Sequence, residues 1–342
     1  MDPTPRARRL HMPAEWEPHQ ATLMAWPARR ELWGGRYDEA CAVHAAVAGA
    51  IARHEPVTMV AAPADRGAAA QACGPGVEVI AIPIDDSWAR DSGPIGVVGA
   101  DGARVAVDFV FNGWGRKFAP WGDDDALAAR VGERLGWPVV RAPFVLEGGS
   151  IAVDGEGTLI TTEQCLLHPN RNPGLTRAEI EDGLRAYLGV DRIIWIPSGL
   201  ADDDDTDGHV DNVACFIEPG VVMVQGCDNP SAPDHDRLAI DRRCLAGARD
   251  AAGRRLEVVD VPVLPRAEVP RGDRPVPYLN FYVGNGAVVV PVSGHSADEK
   301  TLAVIGSCFP GRDIVAVPGA VLAQGGGGVH CITQQIPSTP VP

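Results

Sequence analysis

The stretch that settles the architecture runs from Gly286 to Cys331. It reads Gly286-Ala287-Val288-Val289-Val290, a helical segment Ala297–Cys308 with Ser296 in capping position, Ile314-Val315-Ala316-Val317, and then Gly325-Gly326-Gly327-Gly328-Val329-His330-Cys331. A β-branched run, a capped helix and a second β-branched run make a strand–helix–strand unit. The unit ends on a thiol set among glycines, which permit close backbone approach and unusual dihedrals. A ligand can come up to a thiol presented with so little shielding, so Cys331 is a candidate nucleophile.

The same order recurs upstream. Helices are expected over Asp38–His54, Asp125–Leu135, Thr176–Leu188 and Asp234–Ala252, with Asp38 and Thr176 as N-caps. Short Val- and Ile-rich runs between them read as strands: Val57–Ala62, Val77–Ile84, Arg104–Phe111, Val139–Leu146, Thr158–Thr162, Ile193–Ile196, Asn212–Ile217 and Val221–Val224. The five helices begin at 38, 125, 176, 234 and 297, at intervals of 87, 51, 58 and 63. That spacing, with two or three strands per helix, points to about five strand-strand-helix-strand modules. Pro/Gly-rich stretches such as Val261–Pro277 read as single loops. The expected class is α/β, with residues 1–342 as one domain of five modules closed around a central site. A two-domain doubly wound protein is the competing arrangement.

Composition narrows the function. The net charge of −15 argues against nucleic acid as a partner and suits a cationic substrate. The eight cysteines include no C-x-x-C pair, so they read as reduced thiols and not as a zinc site. No apolar run reaches the length of a membrane span, and Met1–His11 lacks the apolar core of a signal peptide. A cytoplasmic location is expected.

Four further segments carry candidate chemistry. Asp85-Asp86-Ser87-Trp88-Ala89-Arg90-Asp91-Ser92-Gly93-Pro94 follows a strand and could line a cation pocket, or be a polar turn with an Arg90–Asp91 surface pair. Leu146-Glu147-Gly148-Gly149-Ser150 places a carboxylate at a glycine turn, where a hairpin is the plainer reading. In Asp207-Gly208-His209-Val210-Asp211-Asn212, a strand would turn His209 and Asp211 to one side, a pairing suited to acid–base work. The preceding run Asp202–Asp205 reads as a solvated face. In Asn112-Gly113-Trp114-Gly115, Trp114 could present its ring to a cation as Trp88 could, although core packing is the default for either. Asp91, Glu147, His209 and Cys331 are 56, 62 and 122 residues apart, so each falls in a different module. The module carrying Tyr278–Tyr282 lies in the long last gap and is expected to supply framework only.

These residues amount to a resemblance. The chain resembles the agmatine deiminases of the guanidine-modifying superfamily, whose relatives include peptidyl-arginine and arginine deiminases. The matching pieces are Met12–Pro18, Ala25–Pro27, the segment 86–94, Asn112–Gly115, Glu147–Ser150, Asp207–Asn212, Asn280–Tyr282 and Gly326–Gln335, in order along nearly the whole chain. The resemblance implies the pentein fold, a five-bladed pseudo-symmetric α/β propeller of ββαβ modules with its active site on the axis. It implies Cys331 as nucleophile, His209 as general acid/base, Glu147 as partner to His209, Asp91 and Asp211 as guanidinium-binding carboxylates, and Trp88 and Trp114 as pocket walls. It implies hydrolysis of agmatine to N-carbamoylputrescine and ammonia in polyamine synthesis, with no cofactor and no metal. The expected partner is a small cationic guanidino substrate, with no nucleic acid and no membrane, and with a homodimer as the assembly. Deimination of arginine or peptidyl-arginine, amidino transfer, and non-catalytic guanidinium or polyamine binding are the alternatives. Arg116, where a further glycine is common in the family, and the segments 225–236 and 292–296 depart from the pattern.

Overall fold

Each module begins with an antiparallel pair and adds a parallel strand after a helix. The computed structural model describes residues 4–339. In the second module Ile95–Val98 pairs antiparallel with Arg104–Val110, helix Leu127–Leu135 crosses over, and Val139–Val145 returns parallel. The third repeats this with Ile151–Val153, Thr158–Thr162, helix Arg177–Leu188 and Arg192–Ile196. The fourth uses Ala214–Glu218, Val221–Gln225, helix Asp234–Gly247 and Glu257–Val261, and the fifth Tyr282–Val283, Ala287–Val292, helix Asp298–Cys308 and Asp313–Pro318.

The first module is split between the ends of the chain. Its opening strand is Thr333–Pro337, which pairs antiparallel with His19–Ala25. Helix Tyr37–Ile51 and parallel Val57–Ala61 follow, and a further helix Arg66–Cys73 adds a fourth strand, Val77–Ala81. The C-terminal strand thus closes the ring. The seam between first and fifth modules carries a polar latch: buried His19 Nδ1 lies 3.1 Å from Glu55 Oε1, buried Tyr282 OH lies 2.9 Å from Thr22 Oγ1, and at its exposed edge Asn285 Nδ2 donates to the His19 carbonyl at 3.0 Å. Satisfied buried polar groups fix one geometry where a purely apolar seam would tolerate several.

The local reasons for these elements are visible. Thr176 and Glu179 form a reciprocal capping box, and Gly189 ends that helix in the left-handed region. Apolar residues line the inner faces of the helices, as with Leu127, Ala128 and Val131 in one and Ile180, Leu184 and Leu188 in the next. All five expected helices and the ββαβ plan are present. Several details differ. Of the expected N-caps only Thr176 holds that position: Asp38 lies inside the first turn of its helix, after Arg36, and Ala297, not Ser296, caps the last. The expected helix Asp234–Ala252 stops at Gly247, because Ala248 turns extended and accepts from Leu256 N. The helix Arg66–Cys73, short and Ala-rich, carried too weak an apolar stripe to be read. Val261–Pro277 holds a hairpin, Arg266–Val269 with Gly272–Pro275. Residues 210–212 are a 3₁₀ turn, and the strand expected from Asn212 starts at Ala214. Among the described residues all cysteines are free, and no helix is long and apolar enough to cross a membrane.

Candidate active site

Every junction between modules delivers a polar side chain to one place. Asp91 sits in the turn Ala89–Ser92 before the second module, and Glu147 stands at the entry to the third. His209 caps the 3₁₀ turn before the fourth and Asp211 lies within it, Asn280 precedes the fifth, and Cys331 precedes the closing strand. A residue at the start of a module's first strand is next to the ring's axis, so the repeat itself gathers these side chains.

Cys331 is buried, at 5% exposure, which corrects the expectation of an unshielded thiol. Its Sγ lies 3.5 Å from Asp211 Oδ2 and 3.3 Å from Asn280 Nδ2. Asn280 Oδ1 also accepts from His330 N at 3.0 Å, and Nδ2 donates to Asn212 Oδ1 at 3.0 Å. The fourth junction therefore supplies a contact to the sulfur itself, where framework alone was expected. The glycines have a steric role. A Cβ on Gly325 would meet the Trp33 ring at 2.5 Å, on Gly327 the Trp88 ring at 2.5 Å, and on Gly328 Asn280 Oδ1 at 2.3 Å. They let aromatic walls and Asn280 press against the loop that holds the sulfur.

Asp91 accepts from Trp114 Nε1 and from Gly149 N, both at 2.9 Å. Arg90, expected as its surface partner, is buried and turned away, donating to Gln335 Oε1 at 2.6 Å and Glu15 Oε1 at 3.2 Å. Glu147 Oε1 accepts from Arg171 Nε at 2.6 Å, while Oε2 has no hydrogen-bond partner and faces His209 Nε2 at 4.0 Å. His209 Nδ1 lies 3.9 Å from Asp91 Oδ1, and neither ring nitrogen has a hydrogen-bond partner. The strand argument for His209 and Asp211 is replaced by the 3₁₀ turn, yet both face one wall: a Cβ on Gly149 would lie 2.6 Å from His209 Nδ1 and 3.0 Å from Asp211 Oδ2.

Burial and charge set the protonation states. Burial pushes the Cys331 thiol well above its ordinary value, and the Asp211 and Asp91 charges add to that. Burial also raises Asp91, opposed by His209 and reinforced by Asp211 and Glu147. For His209 burial works against the imidazolium, but the Asp91 and Asp211 charges oppose it and the group is held well above the usual histidine range. Burial likewise opposes the Asp211 charge, yet His330 holds this carboxyl below its ordinary value.

Several of these residues escaped sequence reasoning. His330 Nδ1 lies 2.9 Å from Asp211 Oδ2 and its Nε2 lies 2.8 Å from Glu15 Oε1, so one imidazole ties the site to the N-terminal segment. Arg171, fully buried, also donates to Asp207 Oδ2 at 2.6 Å and to the Thr206 carbonyl at 2.8 Å. Long-range pairings of this kind leave no local pattern. Asp202–Asp205 is a solvated face only in part: Asp204 is exposed, but Asp203 Oδ2 accepts from His209 N at 3.1 Å, Asp202 pairs with Arg266 at 2.6 Å, and Asp205 lines the pocket. That pocket beside Cys331 is bounded by Trp88, Trp114, Phe118 and Leu32, with the carboxylates Asp86, Asp91 and Asp205 and no Lys or Arg. Neither 225–236 nor 292–296 contributes to its lining. Arg116 is exposed with φ +68°, the last of four consecutive residues, Gly113–Arg116, in the left-handed region.

A buried thiol among carboxylates and an imidazole, gathered at the junctions of five ββαβ modules, defines an enzyme that works on a cationic carbon–nitrogen group. The chain belongs to the Porphyromonas-type peptidyl-arginine deiminase family, whose model matches residues 11–337. It is 43% identical, over an alignment 359 positions long, to an agmatine deiminase of Pseudomonas aeruginosa, covering 98% of this chain and 97% of that protein. Its fold is similar to that of a solved agmatine deiminase of Enterococcus faecalis, with a TM-score of 0.95, 33% identity and 99% of each chain covered. An amidinotransferase from Microseira wollei, 14% identical and covering 97% of this chain and 98% of that one, shares the fold at a TM-score of 0.53.

Proposed function

We infer that this chain hydrolyses agmatine to N-carbamoylputrescine and ammonia through a covalent adduct on Cys331. The observation that carries the reading is Cys331 Sγ held 3.5 Å from Asp211 Oδ2 in a buried, acid-lined pocket. A guanidinium is planar, always charged at neutral pH, and presents a fork of N–H donors. Asp91 and Asp211 take that fork, with the free oxygen of Asp211, Oδ1, available to it. The bound cation offsets the negative charge that keeps the Cys331 thiol protonated in the free protein, so ionisation of the nucleophile is coupled to binding.

The thiolate attacks the central carbon and a C–S bond forms. His209, as imidazolium, gives its proton to one nitrogen, the C–N bond breaks, and ammonia leaves. A cationic thiouronium remains on Cys331. His209 then removes a proton from water, the hydroxide adds to the carbon, the C–S bond breaks with the hydroxyl proton passing to the departing sulfur, and the ureido product departs, leaving Cys331 as the thiol and His209 as the imidazolium. Glu147 and Asp91, 4.0 and 3.9 Å from the ring nitrogens, stabilise the imidazolium before the first step and again after the second. Trp88 and Trp114 wall the pocket and exclude water from the sulfur.

The tail of the substrate follows from the lining. Of the three aspartates in the lining, Asp86 and Asp205 are paired with Arg29 at 2.8 Å and Arg271 at 3.0 Å, no Lys or Arg itself lines the pocket, and an arginine α-carboxylate would meet these acidic groups where the ammonium of agmatine suits them. The relatives' activity agrees with that chemistry. We extend the reading to a cytoplasmic homodimer that does not bind nucleic acid; the net charge of −15 supports the last point, and light scattering tests the assembly. The functional test is a panel of guanidino compounds assayed for ammonia and ureido product. Agmatine should be the preferred substrate and Cys331→Ala should release no ammonia from it. Turnover retained in that variant would remove Cys331 as nucleophile, and a preference for arginine would remove the tail assignment.

A further inference from the structure

One buried thiol beside the site has no part in the reaction above. Cys165, in the turn Glu163–Leu166, is fully buried, and its Sγ, a His209 nitrogen and a Glu147 oxygen all lie within 4.8 Å of one another. Thr162 fixes the turn, accepting from Cys165 N at 3.1 Å and donating to the Gly208 carbonyl at 2.7 Å, next to His209. Two of the three groups are buried polar atoms without a partner: both His209 nitrogens and Glu147 Oε2. Buried polar atoms are nearly always satisfied, and such a gap marks a place that a ligand can fill.

We propose that Glu147, Cys165 and His209 form a binding site for a soft divalent cation such as Zn²⁺, and that occupancy switches the enzyme off. Thiolate, imidazole and carboxylate are the ligand types zinc takes, with bonds of about 2.0–2.3 Å in a tetrahedron. Such bonds put ligand atoms roughly 3.5 Å apart. His209 Nε2 and Glu147 Oε2 start at 4.0 Å, so closing the set takes small side-chain rotations. Arg171 does not block it, since its Nε already holds Glu147 Oε1 at 2.6 Å and Asp207 offsets its charge at 2.6 Å. Asp91 and Asp211 add negative potential on the other side of His209. Three protein ligands leave a fourth position open for water. Binding releases the Cys165 proton and displaces any proton from the coordinated histidine nitrogen. The imidazolium that must protonate departing ammonia then cannot form.

The inhibition arm rests on the deiminase reading; the binding arm does not, because it uses Cys331→Ala without substrate. Zinc K-edge absorption of Cys331→Ala loaded with one equivalent of Zn²⁺ should show a single Zn–S distance of about 2.3 Å with nitrogen and oxygen neighbours near 2.0 Å. The double variant Cys165→Ala/Cys331→Ala should lose the sulfur neighbour. In turnover assays Zn²⁺ should inhibit the wild-type protein reversibly, with chelator restoring the rate. Cys165→Ser and Cys165→Ala should keep turnover and need at least tenfold more Zn²⁺ for the same inhibition. A sulfur-free zinc shell in Cys331→Ala, a sulfur neighbour that persists in the double variant, or unchanged zinc sensitivity in active Cys165 variants would each overturn the proposal. The spectroscopic arm on Cys331→Ala needs neither Cys165 variant to fold.

Discussion

Replacing Asp91 by asparagine separates two consequences of one charge. The carboxylate is buried and has only neutral hydrogen-bond donors, Trp114 Nε1 and Gly149 N, each at 2.9 Å, with His209 at 3.9 Å. Asparagine keeps the shape but offers one acceptor oxygen, so one of those two donors faces an NH₂ group. That unpaired donor costs about 1–3 kcal/mol and should appear as lower stability. The guanidinium loses a buried charge partner, an effect of roughly 3–5 kcal/mol. At 1.36 kcal/mol per tenfold, kcat/KM for agmatine should fall by about 150- to 5,000-fold. The thiol should respond in the opposite sense. The Asp91 charge disfavours the Cys331 thiolate, so removing it lowers the thiol's pKa and exposes more anion at neutral pH. Iodoacetamide should therefore label substrate-free Asp91→Asn at Cys331 faster than wild type, as read by peptide mass spectrometry. A fall in kcat/KM below about tenfold, or slower labelling, would refute the placing of Asp91 against both the cation and the sulfur.

Three other outcomes follow from the geometry. In Gly328→Ala the new Cβ would fall 2.3 Å from Asn280 Oδ1, which also holds the His330 backbone, so kcat should drop at least tenfold while a circular dichroism spectrum stays native; an unchanged kcat would contradict the role of Asn280. In Arg116→Gly a residue at φ +68° is relieved of left-handed strain worth about 1–2 kcal/mol, partly offset by glycine's entropy, so the thermal midpoint should rise by a degree or two with no loss of turnover. The pH profile of kcat/KM should rise from neutral to alkaline pH as the elevated Cys331 thiol ionises, and fall once the elevated His209 loses its proton. Asp211→Asn should move the rising limb to lower pH in substrate-free thiol labelling, and a profile flat across neutral and alkaline pH would contradict both assignments.

Much of the fold could be read because each helix repeats one local code. Thr176 with Glu179, or the stripe in Asp38–His54, needs only neighbours in sequence to be recognised. The strands found by their Val and Ile content are the central and parallel ones, such as Thr158–Thr162 and Val221–Gln225. The strands missed include opening ones that are short or polar, such as Tyr282–Val283 and Thr333–Pro337, together with His19–Ala25 and the charged parallel strand Glu257–Val261. They are strands because a partner far along the chain pairs with them, which local composition does not encode. The site divides in the same way. Glycine- and carboxylate-bearing motifs mark Asp91, Glu147, His209 and Cys331. Arg171, His330 and Glu15 matter only through partners that the ring brings to them, and Asp202–Asp205 looked solvated because a charge run carries no sign of being folded under.

Closure of the ring and assembly of the site are one event. Cys331 is followed directly by the strand that closes the first module, where Thr333 pairs with Met24. Thr333 Oγ1 donates to the Val329 and His330 carbonyls at 2.9 and 3.0 Å, so the closing strand shapes the thiol's own loop. The loop is then tied from the other side: Arg90 N donates to the Cys331 carbonyl at 3.1 Å, and the Arg90 guanidinium reaches Gln335 within the closing strand. Glu15, whose carboxyl is pulled down to about 2 because His330 and Arg90 outweigh its burial, joins the N-terminal segment to the same cluster. Cys331, Asp211 and segments from the N- and C-terminal parts of the chain thus share one network. A local opening of the C-terminal strand would displace Cys331 and strip Asp211 of His330 together, so opening the ring also opens the site. That coupling explains why chemistry sits at the junctions: they are the positions whose geometry is defined only when all five modules are in place.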